Sequence, residues 1–241
     1  MRLLIAADIH ANVSALEAVL RDVAAYHIER TVLLGDHIDY GMRPNEVIAL
    51  VKEFPYPIDV NIWGNHEKAI MDGNLERFSS ERGRAFSTYT RKLLSEESKK
   101  YIRENMNASG WEEQVYDDKR YMMIHGSVQD VFWQGIFTGT DVEPYSEYDY
   151  VLCGHSHRPF CFEKYAAIDN PGMRNMKKTV FINPGSVGQP RNHQPCACYA
   201  VLDTATGWVH LNTAHYNVTE EQKLYGDNVD VFYKTRLERG V

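Results

Sequence analysis

The sequence predicts an α/β protein: a β-sandwich of two mixed sheets with helices outside. Three observations lead there. Short apolar runs alternate with helical patterns over the first third of the chain, as happens when parallel strands are joined by crossovers. From residue 111 onward the pattern turns to closely spaced β runs. Six of the apolar runs are followed at once by Asp, Asn or His.

Each element has its own signal. Residues 3–7 (LLIAA) read as a fully buried strand. Ser14-Ala15-Leu16-Glu17 matches a capping box, and Val13, Leu16, Val19, Leu20 and Val23 recur at helical spacing, so a helix is expected over about 14–27. TVLLGD (31–36) is a second strand. Pro44 suits a first helical position, Val47, Leu50, Val51 and Phe54 make one face, and FPYP stops that helix. IDVNIWG (58–64) is a third strand. Residues 67–108 are charged and poor in β-branched residues, and read as two or three helices with Ser95 capping the last. WEEQVYDD and RYMMIHG form a hairpin turning near Asp117-Asp118-Lys119. YVLCG, FCFEKYA and TVFINPG follow, then ACYAVLD and WVHLNTAHY around a Thr204–Gly207 turn. Residues 219–238 close the chain with a helix. No repeat or low-complexity linker interrupts residues 1–241, which read as one domain.

Composition narrows the function. The 241 residues are 44% hydrophobic and 24% charged, as in an ordinary soluble globule. The net charge is −7 and the pI about 5.8, so neither long nucleic acid nor an anionic membrane is a natural partner. Met1-Arg2 leads straight into a short apolar run with no signal peptide, so a cytoplasmic address is expected. Cys153, Cys161, Cys196 and Cys198 form no C-x-x-C pair and read as small, reduced core residues.

The polar residues after the apolar runs carry the chemistry. Asp8 and His10 follow the first strand, Asp36 and Asp39 the second, and Asn65, His66 and Glu67 the third. His125 follows YMMI, His155 and His157 follow VLCG, and Asn183-Pro184-Gly185-Ser186 follows TVFI. The carboxyl ends of parallel strands line one edge of a sheet, where ligands collect. Asp8, His10, Asp36, Asn65, His125, His155 and His157 therefore converge. They offer two carboxylates, one amide and four imidazoles, a donor set for Mn, Fe, Zn, Co or Ni, with manganese favoured. Seven donors exceed the needs of one four-coordinate ion and suit two divalent ions sharing a carboxylate. Taken alone, each fragment also fits a turn or a helix start. Jointly, uncompensated carboxylates and buried imidazoles would be costly without cations.

As a set, Asp8-x-His10, Gly35-Asp36-x-x-Asp39, Gly64-Asn65-His66-Glu67, His125 and Gly154-His155-x-His157 resemble the calcineurin-like metallophosphoesterases. The resemblance is nearest to their small bacterial and archaeal phosphodiesterase branch, in which NPGSVGQPR (183–191) recurs. It implies a four-layer sandwich with a dinuclear site at the strand ends. It also implies one metal on Asp8, His10, Asp36 and His157, and a second on Asp36, Asn65, His125 and His155, with Asp36 bridging. A bridging hydroxide would attack phosphorus in line. His66 would serve the scissile phosphate or the leaving alkoxide, oriented by Asp39.

The resemblance leans toward a diester or anhydride substrate, such as a dinucleoside polyphosphate or a cyclic nucleotide. A protein serine/threonine phosphatase and a non-catalytic, metal-stabilised interaction module are the alternatives; only an enzyme needs His66. Asn12 either donates to a phosphate oxygen or serves the helix start. Arg191 either clamps a second phosphate or makes a surface ion pair. Tyr40, Trp63 and Trp133 either stack on a base or belong to the core. His37 and His193 read as surface histidines. The helical insert at 67–108 is expected to form a cap beside the site.

Overall fold

A computed structural model describes residues 1–167 and 177–241. Sheet one runs in the order β10 (Trp208–Ala214), β9 (Ala197–Asp203), β1 (Arg2–Ala6), β2 (Arg30–Leu33), β3 (Ile58–Asn61). Sheet two runs β4 (Trp111–Tyr116), β5 (Lys119–Ile124), β6 (Tyr150–Cys153), β8 (Lys178–Asn183), β7 (Phe160–Tyr165). Both sheets are mixed. β1, β2 and β3 are parallel, and so are β5, β6 and β8; the remaining pairs are antiparallel.

The continuous apolar runs follow from burial on both faces. In β1, Leu3 and Ile5 face the second sheet and meet Tyr121, Met123, Leu152 and Ile182. Leu4 and Ala6 face outward and pack against Leu16, Val19 and Val23 of helix α1 (Val13–Val23) and Val47 and Val51 of α2 (Pro44–Lys52). Burying each such aliphatic side chain contributes about 1.5–3 kcal/mol. The outer face of sheet two is covered by the segment that ends at Tyr148, with one 3-10 turn at Glu143–Tyr145.

The insert forms three helices, α3 (Asn65–Asp72), α4 (Glu81–Leu93) and α5 (Glu96–Asn105), and Ser95 Oγ caps α5 by accepting from the Ser98 N–H. The hairpin turn at Asp117 and Asp118 has positive φ at both residues, as a type I′ two-residue turn requires. No helix among the described residues is long and apolar enough to cross a membrane.

Several boundaries differ from expectation. α1 starts one residue earlier than the capping-box reading and ends at Val23, followed by a 3-10 turn at Ala24–Tyr26. Its cap is Asn12, whose Oδ1 accepts from the Ala15 N–H at 3.0 Å; the Ser14 hydroxyl instead accepts from Arg43. β3 stops at Asn61, three residues short of 64, because Ile62 turns to bridge Asn107. The C-terminal stretch holds two helices, α6 (Val218–Gln222) and α7 (Val231–Arg239), rather than one. Cys153, Cys196 and Cys198 are buried as expected, but Cys161 faces solvent, because it lies on the outward-pointing alternation of edge strand β7.

Candidate metal centre and active site

The two parallel triplets end at a common edge, and their following residues meet there. Asp8, His10, Asp36 and His157 place one donor atom each within 4.8 Å of one another, and so do Asp36, His125 and His155. The two groups share Asp36. Its Oδ2 lies 3.4 Å from His125 Nε2 and 3.8 Å from His10 Nε2. Asn65 Oδ1 completes the second group, 3.0 Å from His125 Nε2 and 2.9 Å from His155 Nδ1.

The backbone is bent to achieve this. Asp8, His10, Asp36, Asp39, His155 and His157 all have φ between 47° and 73°. For non-glycine residues this left-handed region costs about 1–2 kcal/mol each, and such strain gathers where a side chain must be aimed. Neighbouring loops hold the bends. The NPGSVGQ loop clasps Asp8: Ser186 Oγ and the Gly188 N–H both donate to the Asp8 carbonyl, at 2.7 and 3.0 Å. The buried Glu67 carboxylate accepts from the backbone N–H groups of Asp36, His37, Ile38 and Gly64 at 2.8–3.2 Å. Gly64 has no alternative, since a Cβ there would stand 2.1 Å from Asp36 Oδ1.

The donor chemistry fits cations. His10 Nδ1 donates to the Ile38 carbonyl and His157 Nδ1 to the Gln189 carbonyl, because a carbonyl can only accept. Burial pushes both imidazoles well below their usual pKa, so they are neutral. Their Nε2 lone pairs then face each other at 3.1 Å with no proton between them. Beside them, both oxygens of buried Asp8 lack a hydrogen-bond partner. His157 Nε2, 3.4 Å from Asp8 Oδ1, offers another lone pair. Burial pushes the Asp8 carboxyl up to about 8, opposed by the charge of His125 and reinforced by that of Asp36. A divalent cation removes each of these conflicts at once, which a merely structural cluster would not need.

His66 stands apart from the lone-pair cluster. Its Nδ1 lies 2.6 Å from Asp39 Oδ2, and its Nε2 is 3.9 Å from Asp36 Oδ2. Burial opposes its charged form, but Asp36 and Asp39 outweigh burial and raise its pKa. Asp39 is itself held by Ser87 Oγ at 2.5 Å and Thr90 Oγ1 at 2.6 Å, both from α4. Ser87 and Thr90 were not singled out in the sequence, and Glu67 stood in the motif after β3 without a specific task. Ser87 and Thr90 share a helix face, but nothing in their spacing names Asp39 as the target.

A cavity of about 360 Å³ opens over this edge, lined among others by Asp36, Asn65, His66, His155 and His157. Tyr40, Phe78, Trp133 and Arg191 complete its far walls, and Arg77, Phe78 and Ser79 bring the 67–108 segment to it. Of the three aromatic candidates, Tyr40 and Trp133 line the cavity. Trp63 is core, its Nε1 donating to the Ile102 carbonyl. Arg191 reaches the cavity without joining any ion pair formed among the described residues. Asn12 is the correction here: its Oδ1 caps α1 and its Nδ2 donates to the Gly188 carbonyl, so the helix-start role has claimed it. His37 is a second correction, being fully buried with Nε2 against Asn61 Oδ1 at 2.8 Å. His193 is exposed, as expected.

Comparison with known proteins agrees with this geometry. The calcineurin-like phosphoesterase superfamily domain matches residues 1–207. An uncharacterized protein of Methanocaldococcus jannaschii is 26% identical over 222 residues, covering 88% of this chain and 86% of its own. A metallophosphoesterase from Sphaerobacter thermophilus superposes with a TM-score of 0.75 at 26% identity, over 100% of this chain and 99% of its own. A hypothetical protein from Pyrococcus horikoshii shares the fold, with a TM-score of 0.76 at 20% identity over 100% and 98%. The chain belongs to the calcineurin-like phosphoesterase superfamily, and its reaction is the hydrolysis of a phosphate ester.

Proposed function

We propose that the chain hydrolyses a phosphodiester or phosphoanhydride bond of a small, nucleotide-like substrate, using two divalent cations. One cation is held by Asp8, His10, Asp36 and His157, and the other by Asp36, Asn65, His125 and His155. Mixed oxygen and imidazole donors without a thiolate suit Mn, Fe, Zn, Co or Ni, and manganese is the metal proposed. The observation that carries this reading is the meeting of two donor groups on one carboxylate, Asp36, beside an imidazole that belongs to neither. When bound, the cations supply Lewis-acid activation of the phosphate and a more acidic water.

The chain's own residues do the rest. Asp39 accepts the Nδ1–H of His66 and fixes the ring, so Nε2 is the atom that handles a proton over the cavity. Protonated there, it donates to a nonbridging phosphate oxygen and then hands the proton to the departing alkoxide. Arg191, which joins no ion pair among the described residues, offers a guanidinium fork to a second phosphate or to the far oxygens of the first. The cap insert at 67–108 closes one side and limits water. Tyr40, Phe78 and Trp133 give the cavity aromatic walls that favour a planar group on the ester.

The test is to strip the protein with chelator, reload one cation at a time, and assay a phosphomonoester, a phosphodiester, cyclic nucleotides and dinucleoside polyphosphates. The manganese-loaded protein should act best on a diester or an anhydride. A clear preference for the monoester would overturn the substrate reading, and a bound-metal content of one ion would overturn the dinuclear one.

A further inference from the structure

A second cavity of about 430 Å³ adjoins the first, and the two share Trp133, His155 and Arg191. The walls peculiar to the second include Phe137 and Arg158. Neither belongs to the metal centre, and the reaction proposed above uses neither. Phe137 is an exposed aromatic, at 52%. A Cβ added at Gly135 would lie 3.4 Å from the Phe137 ring and 3.5 Å from Ser156 Cβ, so the ring sits beside the His155–Ser156 turn. Its loop is fixed, because the Phe137 N–H donates to Thr140 Oγ1 and Lys164 donates to the Thr140 carbonyl.

The arginines sort into two kinds. Arg77, in the first cavity, is paired with Asp130 at 2.5 Å and lies over the Trp133 ring; Asp130 also accepts the Trp133 N–H. Arg77 is therefore a brace for Trp133 rather than a free cation. Arg158 and Arg191 join none of the ion pairs formed among the described residues. Two guanidiniums that no described carboxylate pairs thus flank the second cavity of an otherwise acidic chain, one on the boundary with the first and one beyond it.

We infer that the substrate has two arms, and that the second cavity binds the arm that stays with the phosphoryl group: a planar, nucleoside-like group stacked on Phe137, with Arg158 and Arg191 taking its phosphate oxygens. This rests on the diester reading above. His66 lines the first cavity and not the second, so the arm lying there is the one it can protonate. Water oxygen adds to phosphorus and releases a proton to solvent, the bond to the first arm breaks, that arm leaves with the proton from His66, and His66 regains a proton from solvent. The retained arm leaves later as a monophosphate from the second cavity.

The experiment compares two diesters with the same p-nitrophenolate leaving group on manganese-loaded protein. One retains thymidine (thymidine 5′-monophosphate p-nitrophenyl ester) and the other retains only methyl. The wild type should favour the thymidine ester in kcat/KM. Phe137→Ala should erase roughly tenfold of that preference, the size of one base–aromatic stack, while leaving the methyl ester unchanged. Phe137→Trp should restore it. Arg158→Ala should weaken inhibition by the product thymidine 5′-monophosphate several-fold. Phe137 is exposed, so a thermal melt unchanged from wild type checks that its variants fold. If both diesters are cleaved and the preference is the same in wild type and Phe137→Ala, the second-arm assignment is wrong and the diester reading survives. If neither diester is cleaved while a monoester is, both fall together.

Discussion

The two sheets make an informative pair. Each sends three adjacent parallel strands to the same edge, yet they deliver different chemistry. Sheet one supplies both carboxylates of the donor cluster, Asp8 and Asp36, together with His10, Asn65 and the His66–Asp39 pair. Sheet two supplies His125, His155 and His157, and then a loop whose backbone and serine hold Asp8 in place. Carboxylates and proton handling thus come chiefly from one half, and imidazole donors and bracing from the other. Neither half holds a complete donor group, so the sandwich must close before the site exists. Asp36 is where the halves join, with His10 on its own side and His125 across from it.

Substitutions can break or sharpen this division, and the largest effect is expected at its centre. Asp36→Ala removes the shared carboxylate, so elemental analysis should find both cations depleted and turnover should fall to background. By contrast, His125→Ala or His157→Ala should each deplete about one cation. If Asp36→Ala retained a full complement of metal, the two donor groups would be independent and the comparison would lose its basis.

The next effect separates metal binding from proton handling within sheet one. His66→Ala should keep both cations and lose about 10²–10⁴-fold in kcat, the usual worth of a positioned acid or base. Full activity in this variant, measured on a diester reporter, would remove His66 from the reaction.

A stability effect follows. Glu67→Gln weakens four charge-assisted bonds that hold the Asp36–Ile38 turn against Gly64. It should cost about 2–4 kcal/mol in urea unfolding of the metal-free protein, since hydrogen bonds to a buried charge are worth about 1.5–3 kcal/mol each and the amide keeps some of them. A loss below about 0.5 kcal/mol would mean that the turn is held by its other contacts.

The smallest effect tests positioning. Asp39→Asn leaves Ser87 and Thr90 in place but alters the partner of His66 Nδ1. It should lower kcat by about 10–100-fold with KM and metal content little changed, as expected for a group that orients another. An equal fall for Asp39→Asn and for His66→Ala would instead make the two residues a single functional unit.

Most of the donor set was legible in the sequence because its signal is local. A run buried on both faces must be apolar throughout, so the first polar residue after it marks the strand's carboxyl end. LLIAA before Asp8 and VLCG before His155 are such cases. Other residues were harder to read because their roles depend on distant partners. Glu67 follows Asn65-His66 directly, but nothing nearby tells that its carboxylate reaches back to the turn after β2. His37 looked like surface because it matches no motif position, yet its ring is buried against Asn61. Asn12 fitted two roles equally until the first turn of α1 claimed its side-chain oxygen.

The sequence by itself determined the donor residue types, their order and their placement after the strands, because backbone alternation and burial dictate those features residue by residue. The tertiary structure alone decided that the two parallel triplets end at one edge, which arginine pairs with a carboxylate among the described residues and which does not, and that two cavities meet at Trp133, His155 and Arg191. Those facts depend on how far apart segments pack, and local sequence carries no measure of that distance.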